Sequence, residues 1–344
     1  MRILQVGVGN WGRDWHANVL LKHREAEVVA LVDADRETLT RAGREFKFEP
    51  NQCFRTLDDA LASVDCEAVL VTATLQAHGD ACRTALAADK HVLCEKPFAE
   101  TVGEAVELTE LAAAKDRILM VSQNYRHFPA MRWLARAVRQ ERYGRLASIS
   151  IDFRQYANGV SNTNRRYLES WHPLLVDMAI HHLDLLRFVV AAEPTEVSCT
   201  AQNPAWSRFR DPPSAVATIT FPSGVVVSYR GSWISHGPAT PWAGLWQVEF
   251  EHALLAVRSR SKDDGTEDAA TVYRDGTSLG EPIDLDTDGL PVDRLGTLSE
   301  FIASVDAGHE PETSARDNVR TLALMHAMIR SAETHAAVTL QQPN

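Results

Sequence analysis

Ten residues near the middle of the chain, VDMAIHHLDL at 176–185, hold two aspartates and two adjacent histidines. Asp177 and His181 are spaced to lie one helical turn apart, so both can touch one bound molecule. At about 100° per residue, Asp184 and Phe188 share their face, while His182 turns toward Leu175, Met178, Ala179 and Leu186. A histidine titrates near neutrality and can take the proton of a hydroxyl group. A nearby aspartate can hold a second hydroxyl and tune the imidazole. The expectation is therefore asymmetric: His181 as acid/base beside Asp177, and His182 in packing. An Asp–His pair at this spacing also suits a metal, but no further ligand cluster accompanies it and no metal is expected.

A second chemical group stands earlier, in HVLCEKPFAE at 91–100. Lys96 follows a short apolar run, at the strand end where open α/β sheets bind ligands. Pro97 keeps it out of the helical region. A cation there can favour a developing alkoxide. The third signal is Gly7-Val8-Gly9-Asn10-Trp11-Gly12, set between a strand and a helical stretch. In that setting Gly7 permits the tight turn. Gly9 lets backbone N–H groups reach a pyrophosphate, and Gly12 allows close helix packing. EVVALVD then ends in Asp33, at about the 20-residue spacing expected of the residue that grips an adenosine ribose. Its carboxylate repels a 2′-phosphate, so NAD is favoured; Arg36 close by keeps NADP compatible.

These groups need elements to carry them. In residues 2–122 short Val/Ile/Leu-rich runs alternate with amphipathic stretches, which predicts a parallel sheet with helices on both faces. From about residue 145, alternating runs such as LASISIDFR, AVATITF and WQVEFE predict an antiparallel sheet. The flanking sequence PLLVDMAIHHLDLLRFVV is apolar nearly all round, which predicts a buried helix interrupting that sheet. Residues 292–306 and 315–335 read as helices. The fold class is α/β: a Rossmann domain over 1–122, then an α+β domain over 123–344 on a large open sheet. The C-terminal helices (about 292–335) are expected to pack back on the first domain.

With 344 residues, 45% hydrophobic and 24% charged, the chain has ample material for two cores. A net charge of −11 argues against broad nucleic-acid binding. No apolar run is long enough for a membrane span, and the N-terminus reads as a strand rather than a signal peptide. Five scattered cysteines without a CxxC pair fit reduced thiols in a cytoplasm. The outer face of so large a sheet points to a homo-oligomer, a dimer or tetramer.

The glycine turn, Val92-Leu93-Cys94-Glu95-Lys96-Pro97 and Asp177-x-x-x-His181, in that order, resemble the Gfo/Idh/MocA oxidoreductases. Tyr125-Arg126 and the tail ARDNVRTLALMHAMIRSAE resemble that family too, and the likeness covers essentially the whole chain. It implies NAD(P)-dependent hydride transfer on a sugar, inositol or related polyol, with Lys96 contacting the reacting hydroxyl and the cofactor. It also implies cofactor contacts at Asn10, Trp11, Thr72, Thr74, His78 and Glu95. Tyr125, Arg126, Trp171, His172 and His236 are candidate substrate contacts, and Trp233, Trp242 and Trp246 candidate walls for a carbohydrate. The sequence departs from the family pattern at Thr72-Ala73-Thr74 and at Trp171-His172-Pro173. Two other outcomes fit the same fold: a cofactor-binding regulator without turnover, and redox-assisted glycoside cleavage.

Overall fold

Strands that are apolar on both sides need cover on both faces, and the first third of the chain is built that way. In the computed structural model, which describes residues 1–160, 165–261, 265–285 and 289–340, six strands form one parallel sheet. They are β1 (Arg2–Val6), β2 (Glu27–Val32), β3 (Cys53–Phe54), β4 (Ala68–Val71), β5 (His91–Cys94) and β6 (Leu119–Val121), in the order β3-β2-β1-β4-β5-β6. The two-residue β3 is too short to leave a periodic signal in the sequence. The strand order reverses between β1 and β4, and the crevice beyond their C-terminal ends is the ligand position of such sheets. One core cluster joins Ile3, Leu70, Leu93 and Met120 to Trp15 of the first helix and to Leu298, Phe301 and Ile302.

The remaining strands form a nine-stranded sheet. They are β7 (Leu146–Arg154), β8 (Glu196–Gln202), β9 (Ser214–Thr220), β10 (Val226–Ser232), β11 (Leu245–Phe250), β12 (Leu254–Arg258), β13 (Ala269–Tyr273), β14 (Glu281–Ile283) and β15 (Val338–Thr339). Their order is β14-β13-β12-β11-β7-β10-β9-β8-β15, with every pairing antiparallel except β7 with β10. Alternation sets the two faces: along β11, Trp246, Val248 and Phe250 point inward, and Leu245, Gln247 and Glu249 outward. The outward face still exposes Val216, Val226 and Leu245.

The chain divides into two compact units, Met1–Gln123 with Arg294–Val319, and Asn124–Asp293 with the residues from Arg320 on. The helix Asp293–Ala307 and the first turn of Ala315–Thr334 group mainly with the first unit, and the rest of that last helix with the second. The reason is local bonding. Ser331 Oγ accepts the Cys199 N–H at 2.8 Å, and β15 pairs with β8.

The helix that carries the histidines is not α-helical throughout. Leu174–Ala179 forms the wider π-type turns, and Ile180–Val190 an α-helix. An apolar stripe would reveal the pitch, but this segment is apolar on all sides, so its sequence cannot show the change. Such turns recur at functional sites. The π segment packs on β9 and β10, and Ile180–Val190 packs on the helix Pro129–Arg139.

Buried among these elements is a chain of ionic groups. Arg126 donates from Nε and Nη2 to the two oxygens of Asp184, each at 2.7 Å, and the Asp184 side chain is 0% exposed. The Thr321 hydroxyl donates to Asp184 at 3.0 Å and accepts from Arg187 at 2.7 Å. Arg187 in turn makes two 2.7 Å bonds to Glu193. Breaking a buried pair strands a charge, so Asp184→Asn is expected to cost on the order of 3 kcal/mol. Urea unfolding of the full chain measures it as a lowered midpoint.

Candidate active site

In the first unit the glycine turn leads from β1 into the helix Asn10–Asn18. Gly7 has φ +84°, and a Cβ there would lie 2.4 Å from the Ala73 backbone. A Cβ on Gly12 would lie 1.9 Å from the Gly7 carbonyl oxygen. Gly9 is different: a Cβ there would meet nothing within 4 Å. This open space at a helix N-terminus fits a pyrophosphate held by backbone N–H groups. The turn rests on a buried polar network. The Thr72 hydroxyl donates to the Gly7 carbonyl at 2.6 Å, and the Gln5 amide donates to the Gly12 carbonyl at 2.7 Å. His16 Nδ1 lies 2.9 Å from the Gln5 side-chain Oε1, and burial lowers its pKa to about 4. Asp33 follows β2 and accepts from the Val8 and Asp35 N–H groups, both at 2.9 Å. The exposed indole of Trp11 has the Arg294 guanidinium 4.4 Å from its ring centroid, and Arg294 also pairs with Asp14 at 2.7 Å. Asn10 accepts from Arg13 at 3.0 Å, and Thr74 is exposed at a helix start with no side-chain cap bond.

At the end of β5 the Lys96–Pro97 peptide is cis and the Lys96 side chain is half-buried. Glu95 is buried and accepts the Trp15 indole N–H at 2.7 Å, which ties this loop to the helix of the glycine turn. His78 lies with its ring nitrogens 2.7 Å from the Pro97 carbonyl and 3.1 Å from the Ala73 carbonyl. Three of the expected cofactor contacts, Thr72, His78 and Glu95, lie in these loops. All three are buried with polar atoms bonded to protein groups, so they brace the loops around the glycine turn and Lys96.

In the second unit His181 and His182 part company. His182 is fully buried, with one ring nitrogen 3.2 Å from the Tyr229 hydroxyl and the other 2.9 Å from the Trp242 carbonyl. Burial lowers its pKa to about 4. His181 lies parallel to Tyr125, with ring centroids 4.2 Å apart and planes 3° apart. The Tyr167 hydroxyl is hydrogen-bonded to Asp177, and burial, then the charge of Asp177, raises the Tyr167 pKa. Sequence reasoning missed Tyr167, which sits before the helix in no periodic pattern.

The other candidates scatter. Arg126, an expected substrate contact, is the buried partner of Asp184. His172 is buried, with φ 39°, and lies 3.3 Å from Glu333, while Trp171 before it is exposed. His236 belongs to an aromatic group with Tyr156 and Trp206, at centroid distances of 4.8 and 5.6 Å. Trp233 and Trp246 are core residues bonded to backbone carbonyls, and Trp242 is partly exposed. Among the described residues, no group of three or more His, Cys, Asp or Glu side chains is arranged to hold a metal. Nor is any described helix long and apolar enough to cross a membrane.

Comparison with known proteins agrees with this layout. Residues 1–123 match the family model for an oxidoreductase family with an NAD-binding Rossmann fold, and residues 131–251 match a GFO/IDH/MocA C-terminal domain. The D-apiose dehydrogenase of Paraburkholderia graminis is 28% identical over 98% of this chain and 88% of its own. The inositol 2-dehydrogenase of Rhizobium meliloti is 25% identical over 97% of this chain and 98% of its own. The crystal structure of the aldose-aldose oxidoreductase of Caulobacter crescentus, complexed with glycerol, superposes with a TM-score of 0.85 at 19% identity, covering 99% of both chains.

The two inner glycines should fail differently. Gly9→Ala has room in the free protein, so its melting temperature stays unchanged while affinity for NAD falls about tenfold, or 1.4 kcal/mol. Gly12→Ala collides with backbone and costs about 1–3 kcal/mol of stability as well. Thermal melts and titration calorimetry with NAD separate the two.

Proposed function

The chain belongs to the Gfo/Idh/MocA family of oxidoreductases, and from that membership we propose that it oxidises a secondary alcohol of a sugar, inositol or related polyol. NAD, or NADP, supplies the hydride acceptor when bound. The observation that carries the reading is the placement of Asp177 and His181 four residues apart on one continuous helical segment, with Asp177 hydrogen-bonded to Tyr167. His181 takes the proton from the reacting hydroxyl. Asp177, its carboxylate steadied by Tyr167, orients the substrate through a hydroxyl. The Lys96 ammonium favours negative charge on the reacting oxygen. The named activities of the two relatives, on D-apiose and on inositol, support a polyhydroxylated substrate.

Asp33 supports NAD over NADP. Its carboxylate is fixed by two backbone N–H groups, ready to accept from ribose hydroxyls and to repel a 2′-phosphate. The fully free set of five cysteines supports a cytoplasmic location. The exposed Val216, Val226 and Leu245 on the outer face of the nine-stranded sheet support a homo-oligomer, a dimer or tetramer, that covers them.

A panel of sugars and polyols with NAD and with NADP, followed by absorbance at 340 nm, tests the reaction; NAD is expected to give the higher kcat/KM. Release of a free sugar without net NADH would point instead to glycoside cleavage. On the best substrate, His181→Ala should lower kcat by about 10²–10⁴-fold with NAD binding intact. His182→Ala should lower the melting temperature and spare turnover of the folded fraction; near-normal turnover in His181→Ala would reject the assignment. Light scattering at micromolar concentration should give a multiple of the chain mass, and a monomer would overturn the oligomer.

A further inference from the structure

A histidine ring is poorly fixed by its own torsions, because rotation about its second side-chain bond is broad. For His181 to present a nitrogen reproducibly, something must set its plane. We infer that Tyr125 is the positioning residue that does so, and that Tyr125 and Arg126 together clamp the His181 helix at two points. The inference rests on the reading of His181 as the acid/base and adds the device that aims it.

Tyr125 is 2% exposed and His181 5% exposed. At a centroid distance of 4.2 Å and a tilt of 3°, the tyrosine face is a flat wall in contact with the imidazole. Tilting the imidazole would drive an edge into that wall. The adjacent residue grips the same helix three positions on, where the two 2.7 Å bonds from Arg126 to Asp184 hold the helix against rolling about its axis. One dipeptide thus fixes the rotation of the helix and of the ring it carries.

Tyr125 is itself held. The Arg260 guanidinium lies 4.4 Å from its ring centroid and is hydrogen-bonded to its hydroxyl. Arg260 sits in a left-handed backbone conformation, φ 59°, at a turn stapled by Asp268. That carboxylate accepts the Arg260 N–H at 2.8 Å, the Ser259 hydroxyl at 2.8 Å and the Ala130 N–H at 3.0 Å. Burial raises the pKa of the Tyr125 hydroxyl, which fits a geometric role rather than a proton-transferring one.

The test compares Tyr125→Phe, which keeps the flat face, with Tyr125→Leu, which removes it. Tyr125→Met fills similar volume without a plane and replaces the leucine variant if that fails to fold. A displacement of about 1 Å at a reacting centre costs about 100-fold, so Tyr125→Leu should lose that much kcat, with NAD affinity kept and substrate KM little changed. Tyr125→Phe should keep most of the turnover. With 13C-labelled histidine, the His181 Hε1 resonance, assigned by its disappearance in His181→Asn, should lie upfield from the tyrosine ring current. It should stay there in Tyr125→Phe and move downfield in Tyr125→Leu. Wild-type kcat in Tyr125→Leu, or equal losses in Tyr125→Leu and Tyr125→Phe, overturns the positioning role. Wild-type turnover in His181→Asn overturns the acid/base reading instead, a different failure.

Discussion

A helix buried at nearly every position must find partners for the polar side chains it carries, and the segment Leu174–Val190 carries two aspartates, two histidines and an arginine. Leaving any one of them bare would cost more than a typical mutation. The fold answers each separately: a guanidinium for Asp184, a phenol for Asp177, a carbonyl and a phenol for His182, a carboxylate for Arg187. His181 has an aromatic face. Much of the second unit can be read as the set of elements that deliver these partners, from the short turn at Asn124–His127 to the last helix. The chemistry proposed for His181 rests on that arrangement.

The first unit solves a related problem at the glycine turn. Close approach of a helix to a strand leaves carbonyls of the turn pointing inward, and Thr72 and Gln5 supply their donors. Trp15 reaches from the same helix to Glu95, so the turn and the Lys96 loop share one hydrogen-bonded frame. On the proposed reading, the two places that meet the cofactor are thereby kept in register.

The sheets were legible because their signals are local. Apolar runs in the first third and alternation in the second correspond closely to strands, and the glycine turn is bracketed as its spacing demands. The separation of His181 from His182 was legible too, since it needs only a difference in angle. What stayed hidden depends on distant partners. Nothing near Arg126 announces Asp184, so the sequence gives no sign of the buried pair they form. Tyr167 is silent for the same reason. The π-type turns are hidden because a segment apolar on every side has no stripe from which to read its pitch. His78 and Glu95 carry family signals, but their bonds to Pro97, Ala73 and Trp15 are not written in the sequence.

Asp33 has a consequence for redesign. The side chain that would discriminate between the two nicotinamide dinucleotides also accepts the N–H of Val8, inside the glycine turn. On the proposed reading, selectivity and loop architecture are written in one carboxylate. An exchange to a small neutral residue, the obvious route toward a phosphorylated ribose, withdraws an acceptor from the turn at the same stroke. A successful conversion would have to return that acceptor from elsewhere, which makes it a two-site change.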